Sequence, residues 1–185
     1  MEQRNYELEI VLALLKKETH VRALAKQIGV NHMTISRKIK SLLEDNVVDF
    51  NEQGKNKIYF LKKTSEAKSF IFMAENYKLN QTLKKYPLLR GVIQEVQESK
   101  KIKIAILFGS YAKGIPHKDS DIDVYLETSD FKLKEEIESL NTRLNVKIGK
   151  YNKGNLLMNE IEKNHIIIKG VEKFYEHSKF FERSY

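Results

Sequence analysis

An apolar run, Ile102 to Phe108, stops at Gly109-Ser110, and an acidic pair, Asp121 and Asp123, follows a short polar loop. No other stretch restricts the fold of this chain so tightly. The run is rich in β-branched residues, which predicts a strand entering a buried sheet. Gly109 and Ser110 end that strand. A residue without a Cβ lets backbone N–H groups come close to a phosphate, and the Ser110 hydroxyl adds a donor. Asp121 and Asp123 are at i and i+2, and on a strand such positions share a face. Two hard oxygen ligands pointing the same way suit Mg²⁺, which completes its shell with water and substrate phosphates. The plainer alternative is a turn built on Gly109, Gly114 and Pro116, followed by a solvated acidic strand start.

The pattern Gly109-Ser110, ten residues, Asp121-x-Asp123 resembles the signature of the DNA polymerase β-like nucleotidyltransferases. The nearest look is the minimal nucleotidyltransferases of bacteria and archaea, antitoxin-type members among them. The resemblance spans roughly Leu88 to Tyr175. It implies that Asp121 and Asp123 are the catalytic carboxylates and the ligands of Mg²⁺. It implies further that Gly109, Ser110, Lys113 and Ser120 hold ATP or another nucleoside triphosphate. The acceptor hydroxyl would then belong to a protein such as a cognate toxin, to an RNA end or to a small molecule.

Members of that family normally carry a third carboxylate on the strand after the next helix. Here the strand reads Leu144-Asn145-Val146-Lys147-Ile148. Its inward polar positions are Asn145 and Lys147, with Lys147 better aligned to the family acid. A lysine ammonium cannot accept a proton while charged, and beside two aspartates it would compete with Mg²⁺. Glu127 lies about 13 Å along the strand from Asp123, too far to substitute. Asp130 could reach the site only by folding back. Two readings stay open: nucleotidyl transfer supported by one Mg²⁺, or a domain without turnover that serves as a nucleotide sensor or dimerisation module.

The N-terminal half has a different character. Residues 1–86 carry 16 Lys and Arg against 10 Asp and Glu, whereas residues 87–185 carry 17 against 15. A basic excess confined to one half points to a polyanionic partner there. Helical periodicity predicts helices over 6–17, with Leu8, Val11, Leu12 and Leu15 as the apolar stripe, over 21–28, and over 32–44, with Ile35, Ile39, Leu42 and Leu43 inward. Gly29 suits the left-handed residue that ends the second helix. Thr19 is a candidate cap for it. Two short strands, Val47–Phe50 and Ile58–Leu61, flank a polar Gly-containing turn, a hairpin signal. Helix, helix, helix, hairpin resembles the winged helix-turn-helix regulators of bacteria and archaea. The third helix would then be the recognition helix. Its polar residues His32, Thr34, Ser36, Arg37, Lys38 and Lys40 are the candidates for contact with double-stranded DNA, joined by Lys55 and Lys57 on the wing.

A helix over 66–79, with Phe70, Ile71, Ala74 and Tyr77 at helical spacing, would pair two copies into a homodimer or pack on its own wing domain. Pro87 breaks the chain before a helix over 88–96. Later come helices over 131–140 and 155–163 and strands over 144–148 and 166–168. The fold class is therefore α+β: a winged-helix domain over 1–64, a linker or dimerisation helix over 65–86, and a nucleotidyltransferase-like mixed sheet with helices on one side over 87–185. With no cysteine, disulfides, thiolate chemistry and Cys-based zinc sites are excluded. His20, His117, His165 and His177 show no ligand spacing. The opening residues are polar, unlike a secretory leader, and no apolar run can span a bilayer, so a cytoplasmic protein without a membrane partner is the expectation.

Overall fold

The computed structural model describes residues 4–182. The chain divides into two compact units, one running through Tyr77 and the other covering Lys78–Phe180. The first begins with α1 (Tyr6–Lys16), capped by Asn5, whose side chain accepts from the Leu8 N–H at 3.2 Å. Its buried residues are Ile10, Val11, Ala13 and Leu14, so the stripe is turned from the expected Leu8, Leu12 and Leu15, which are half-buried. The unbroken apolar run from Ile10 to Leu15 leaves the phase of this helix to whatever packs on it. α2 (Val21–Ile28) ends at Gly29 in the left-handed region, φ 75°. Its N-cap is His20, whose Nδ1 accepts from the Ala23 N–H at 3.1 Å, while Thr19 bridges Tyr59 of the wing. α3 (His32–Glu44) buries Ile35, Ile39 and Leu42 as its periodicity predicts, while Leu43, also expected inward, is only half-buried.

The wing is longer than its apolar residues indicate. β1 (Val48–Gln53) pairs antiparallel with β2 (Asn56–Leu61) down to Gln53 opposite Asn56. The turn is thus only Gly54 and Lys55, with Gly54 at φ 60°. Lys57 belongs to β2 rather than to the turn, and its ammonium stands 4.0 Å from the centroid of the Phe50 ring. A favoured two-residue hairpin loop pulls polar flanking residues into the ladder, because backbone hydrogen bonds do not depend on side-chain polarity. α4 (Ser65–Lys85) runs past the expected end near Leu79, since no glycine or proline interrupts it before Pro87. Ala67, Ile71 and Ala74 on it are fully buried.

In the second unit a 3₁₀ turn (Pro87–Leu89) leads into α5 (Arg90–Glu98). Then follow β3 (Ala105–Leu107), α6 (Gly109–Lys113), β4 (Ile122–Glu127), α7 (Phe131–Glu138), β5 (Leu144–Gly149), α8 (Leu156–Lys163), β6 (Ile166–Lys169) and α9 (Val171–His177). The sheet order is β5-β4-β3-β6, with β4 and β5 parallel and the other pairs antiparallel. One face carries Ala105, Leu107, Ile122, Val124, Leu126, Val146 and Ile168 into a core with Val92, Ile93 and Val96 of α5 and Leu133 and Ile137 of α7. By alternation the other face carries Ile106, Asp123, Tyr125 and Ile167. Ile106, Tyr125 and Ile167 are buried too, as are Met158, Ile161 and Phe174 of α8 and α9. Both faces are therefore covered, not one. Asp123 is the ionisable side chain of β4 that this second face holds nearest the motif turn.

Candidate functional site

The turn between β3 and α6 is built around one contact. Phe108 is extended, and its N–H donates to the Asp123 carbonyl at 2.9 Å, so the end of β3 is fastened to β4. Gly109 then takes φ 67°, where an L side chain is strained. A Cβ built on Gly109 would collide with the Asp123 carboxylate and lie 3.0 Å from its Cγ. Backbone conformation and space thus independently require glycine at the point where the acidic side chain arrives. Ser110 is half-buried, and its hydroxyl makes no hydrogen bond among the described residues.

Asp123 is half-buried on β4, and Asn145 donates through Nδ2 to its Oδ1 at 2.8 Å. Burial lifts the Asp123 pKa above its ordinary value; the Asn145 bond works against this, Asp121 and Glu160 add to it, and Lys147 opposes it. Asp121 is exposed, immediately ahead of β4. The register corrects the reading of the missing acid. Asn145 stands opposite Asp123, whereas Lys147 stands opposite Tyr125 and is exposed. An amide therefore takes the place next to Asp123, and it cannot accept a proton from a hydroxyl at neutral pH. Glu127 is drawn away by His177, 3.4 Å from its carboxylate, and Asp130 caps α7 by accepting from the Lys132 and Leu133 N–H groups. Among the described residues, no group of three His, Asp or Glu side chains comes together as a metal cage.

The other expected residues divide. Lys113 closes α6 and pairs with Glu160 of α8 at 2.8 Å. Ser120 accepts the His117 N–H at 2.7 Å and so clamps the loop ahead of Asp121. Glu160 is the functional candidate that sequence reasoning missed. It comes from a helix far along the chain, and nothing local distinguishes it from any other polar residue of that helix.

On α3, His32, Arg37 and Lys40 are exposed, while Thr34, Ser36 and Lys38 are half-buried. Arg37 has no ion pair among the described residues, Lys40 lies 3.8 Å from Glu44, and Lys38 is held at 3.0 Å by Glu7 of α1. Arg37 and Lys40, three apart, share one side of the helix. Lys55 is exposed at the wing tip, and Lys57 is exposed beside Phe50.

Residues 91–173 match the family model described as polymerase beta, nucleotidyltransferase. The second unit thus carries a nucleotidyltransferase-family domain, and the helix-helix-helix-hairpin order of the first is that of a winged helix. Among solved structures, the chain is similar to the adhesin competence repressor AdcR from Streptococcus pyogenes, at 20% identity and TM-score 0.40, over 49% of this chain and 68% of that one. It is similar to the transcriptional repressor BigR from Xylella fastidiosa, at 22% identity and TM-score 0.34, over 46% and 76%. A toxin-antitoxin structure with AMP-PNP is similar at 19% identity and TM-score 0.36, over 50% and 80%. Comparison with curated proteins gives no match.

Proposed function

We propose that this chain is a cytoplasmic DNA-binding regulator whose second unit binds a nucleoside triphosphate together with Mg²⁺. The observation that supports the nucleotide reading is the wedge of Asp123 against Gly109, which would set a metal-holding carboxylate beside a turn that a phosphate could approach without meeting a Cβ. Asp121 and Asp123 would hold the ion. The donor set fits, because two carboxylates supply oxygen ligands and Mg²⁺ leaves its remaining positions to water and phosphate. When bound, Mg²⁺ neutralises phosphate charge and orients the triphosphate. The chain's own part is to fix Asp123 through the Asn145 amide, to offer the Ser110 hydroxyl as a donor, and to keep the turn free of any Cβ.

For transfer, an acceptor oxygen would attack the α-phosphorus, its proton would leave to a base, and pyrophosphate would depart. Asn145 cannot take that proton. This favours the second reading, a domain that senses nucleotide without turnover, over a fully equipped transferase. The DNA reading rests on Arg37, Lys40, Lys55 and Lys57, exposed on the two elements that a winged helix presents to a duplex. A homodimer would present two such elements to a two-fold operator. Met73, 44% exposed on α4 amid buried Ala67, Ile71 and Ala74, leaves part of that helix open for pairing.

Calorimetry with each of the four ribonucleoside triphosphates, with and without Mg²⁺, tests the nucleotide site. At least one should bind in a metal-dependent manner that the Asp121→Ala, Asp123→Ala double variant abolishes. Silence from all four overturns the reading. Fluorescence anisotropy with duplex DNA tests the first unit, where affinity should fall steeply with salt.

A further inference from the structure

Lys113 lies three residues beyond Ser110 on the same short helix, and residues so spaced share a side. Its ammonium would therefore be the nearest cation of α6 to a phosphate at the motif turn. In the structure that ammonium is already engaged, donating to Oε1 of Glu160 at 2.8 Å. We propose that Glu160 is a built-in competitor for Lys113, an affinity-setting residue that a triphosphate must displace to use the lysine. The proposal rests on the reading of the Gly109–Asp123 turn as a triphosphate site.

Three features carry it. First, the pair is in water on both sides, with the Lys113 and Glu160 side chains 40% and 43% exposed. An exposed pair of this kind is weak, so a multiply charged ligand can break it. Second, α8 does not depend on the pair for its position. Asn155 caps it by accepting from the Leu157 and Met158 N–H groups, and Met158 and Ile161 are buried. Glu160 would thus stay in place after losing Lys113. Third, Glu160 meets Lys113 on the short helix that begins at Gly109, the residue against which the Asp123 carboxylate lies. Released from the lysine, its carboxylate would add to the negative charge of Asp121 and Asp123 facing the phosphates. Competition before binding and repulsion after it both weaken the ligand, so Glu160 acts in one direction only.

The test is calorimetry of the full chain with ATP in Mg²⁺ buffer, comparing wild type, Glu160→Gln, Lys113→Met and the double variant. If another triphosphate proves to be the one that binds wild type, the series is run with that one. Glu160→Gln should tighten binding about three- to fivefold, the scale of an exposed ion pair. Lys113→Met should weaken it. In the Lys113→Met background the Glu160→Gln gain should shrink to under about twofold, because only the repulsion remains to be removed. Thermal melts of each variant check folding, and both positions are exposed enough to tolerate these substitutions. Unchanged or weaker binding by Glu160→Gln overturns the competitor role while leaving the triphosphate site standing. Absence of binding by wild type and Glu160→Gln alike, with every triphosphate, overturns the site itself.

Discussion

The two units use charge in opposite ways. In the first, Arg37, Lys40, Lys55 and Lys57 stand in water, spread over one helix and a hairpin. In the second, one half-buried carboxylate, Asp123, is wedged against a glycine and held by an amide. The contrast teaches where tolerance lies. On a dispersed cationic face, each side chain that meets only phosphate contributes little, because such contacts are solvated and screened. A packed turn with a single allowed residue type has no such reserve.

Gly109→Ala strikes that contrast hardest. The positive φ alone costs about 1–2 kcal/mol, and the new methyl must push Asp123 aside. Triphosphate affinity should fall more than about tenfold, on the scale of a misplaced first ligand, while DNA affinity stays within about twofold. Normal triphosphate binding by this variant would show that the close approach does not serve the ligand. Next in size is Arg37→Ala. If it reads a base edge, DNA affinity should drop by about 1–3 kcal/mol and specificity should relax at one position, with triphosphate binding untouched.

Lys55→Ala and Lys57→Ala should each weaken DNA binding alike on all sequences and reduce the slope of log K against log salt by about one. A larger, sequence-dependent loss at either lysine would blur the distinction between the units. The smallest effect concerns stability. In chelator, Asp123→Asn should raise the melting temperature slightly near pH 7. Burial raises the folded-state pKa of Asp123, so the folded chain holds that proton more tightly than the unfolded chain does. The carboxylate is harmless when protonated at acid pH and becomes a burden as pH rises through its folded pKa. The variant's advantage should therefore vanish on acidification, and a gain independent of pH would point to another cause.

Local signals served some elements better than others. α3 was legible because its inward residues Ile35, Ile39 and Leu42 keep a strict period against polar neighbours. α1 was legible as a helix but not in phase, because Ile10 to Leu15 offers no polar residue to orient it. The wing was located from its apolar ends, yet Asn51 to Gln53 and Asn56 to Lys57 joined the ladder through backbone bonds that composition does not report. In the site, Gly109, Ser110, Asp121 and Asp123 stood out by spacing. Asn145 and Lys147 were both in view, and only strand register could choose between them. A single residue of slip exchanges the faces of a strand, and two residues exchange its neighbours.

From its residues alone, this chain specifies α1 to α3 as helices, its hairpin, the strand that stops at Gly109 and the two aspartates that follow, because each is encoded within a few positions. Tertiary structure alone decided that the Asp123 carboxylate lies against Gly109, that Asn145 rather than Lys147 is its neighbour, and that Glu160 reaches Lys113. Those three facts join segments distant in the chain. They are set by how β4 pairs with β5 and by where α8 packs, and no local pattern of residues carries that information.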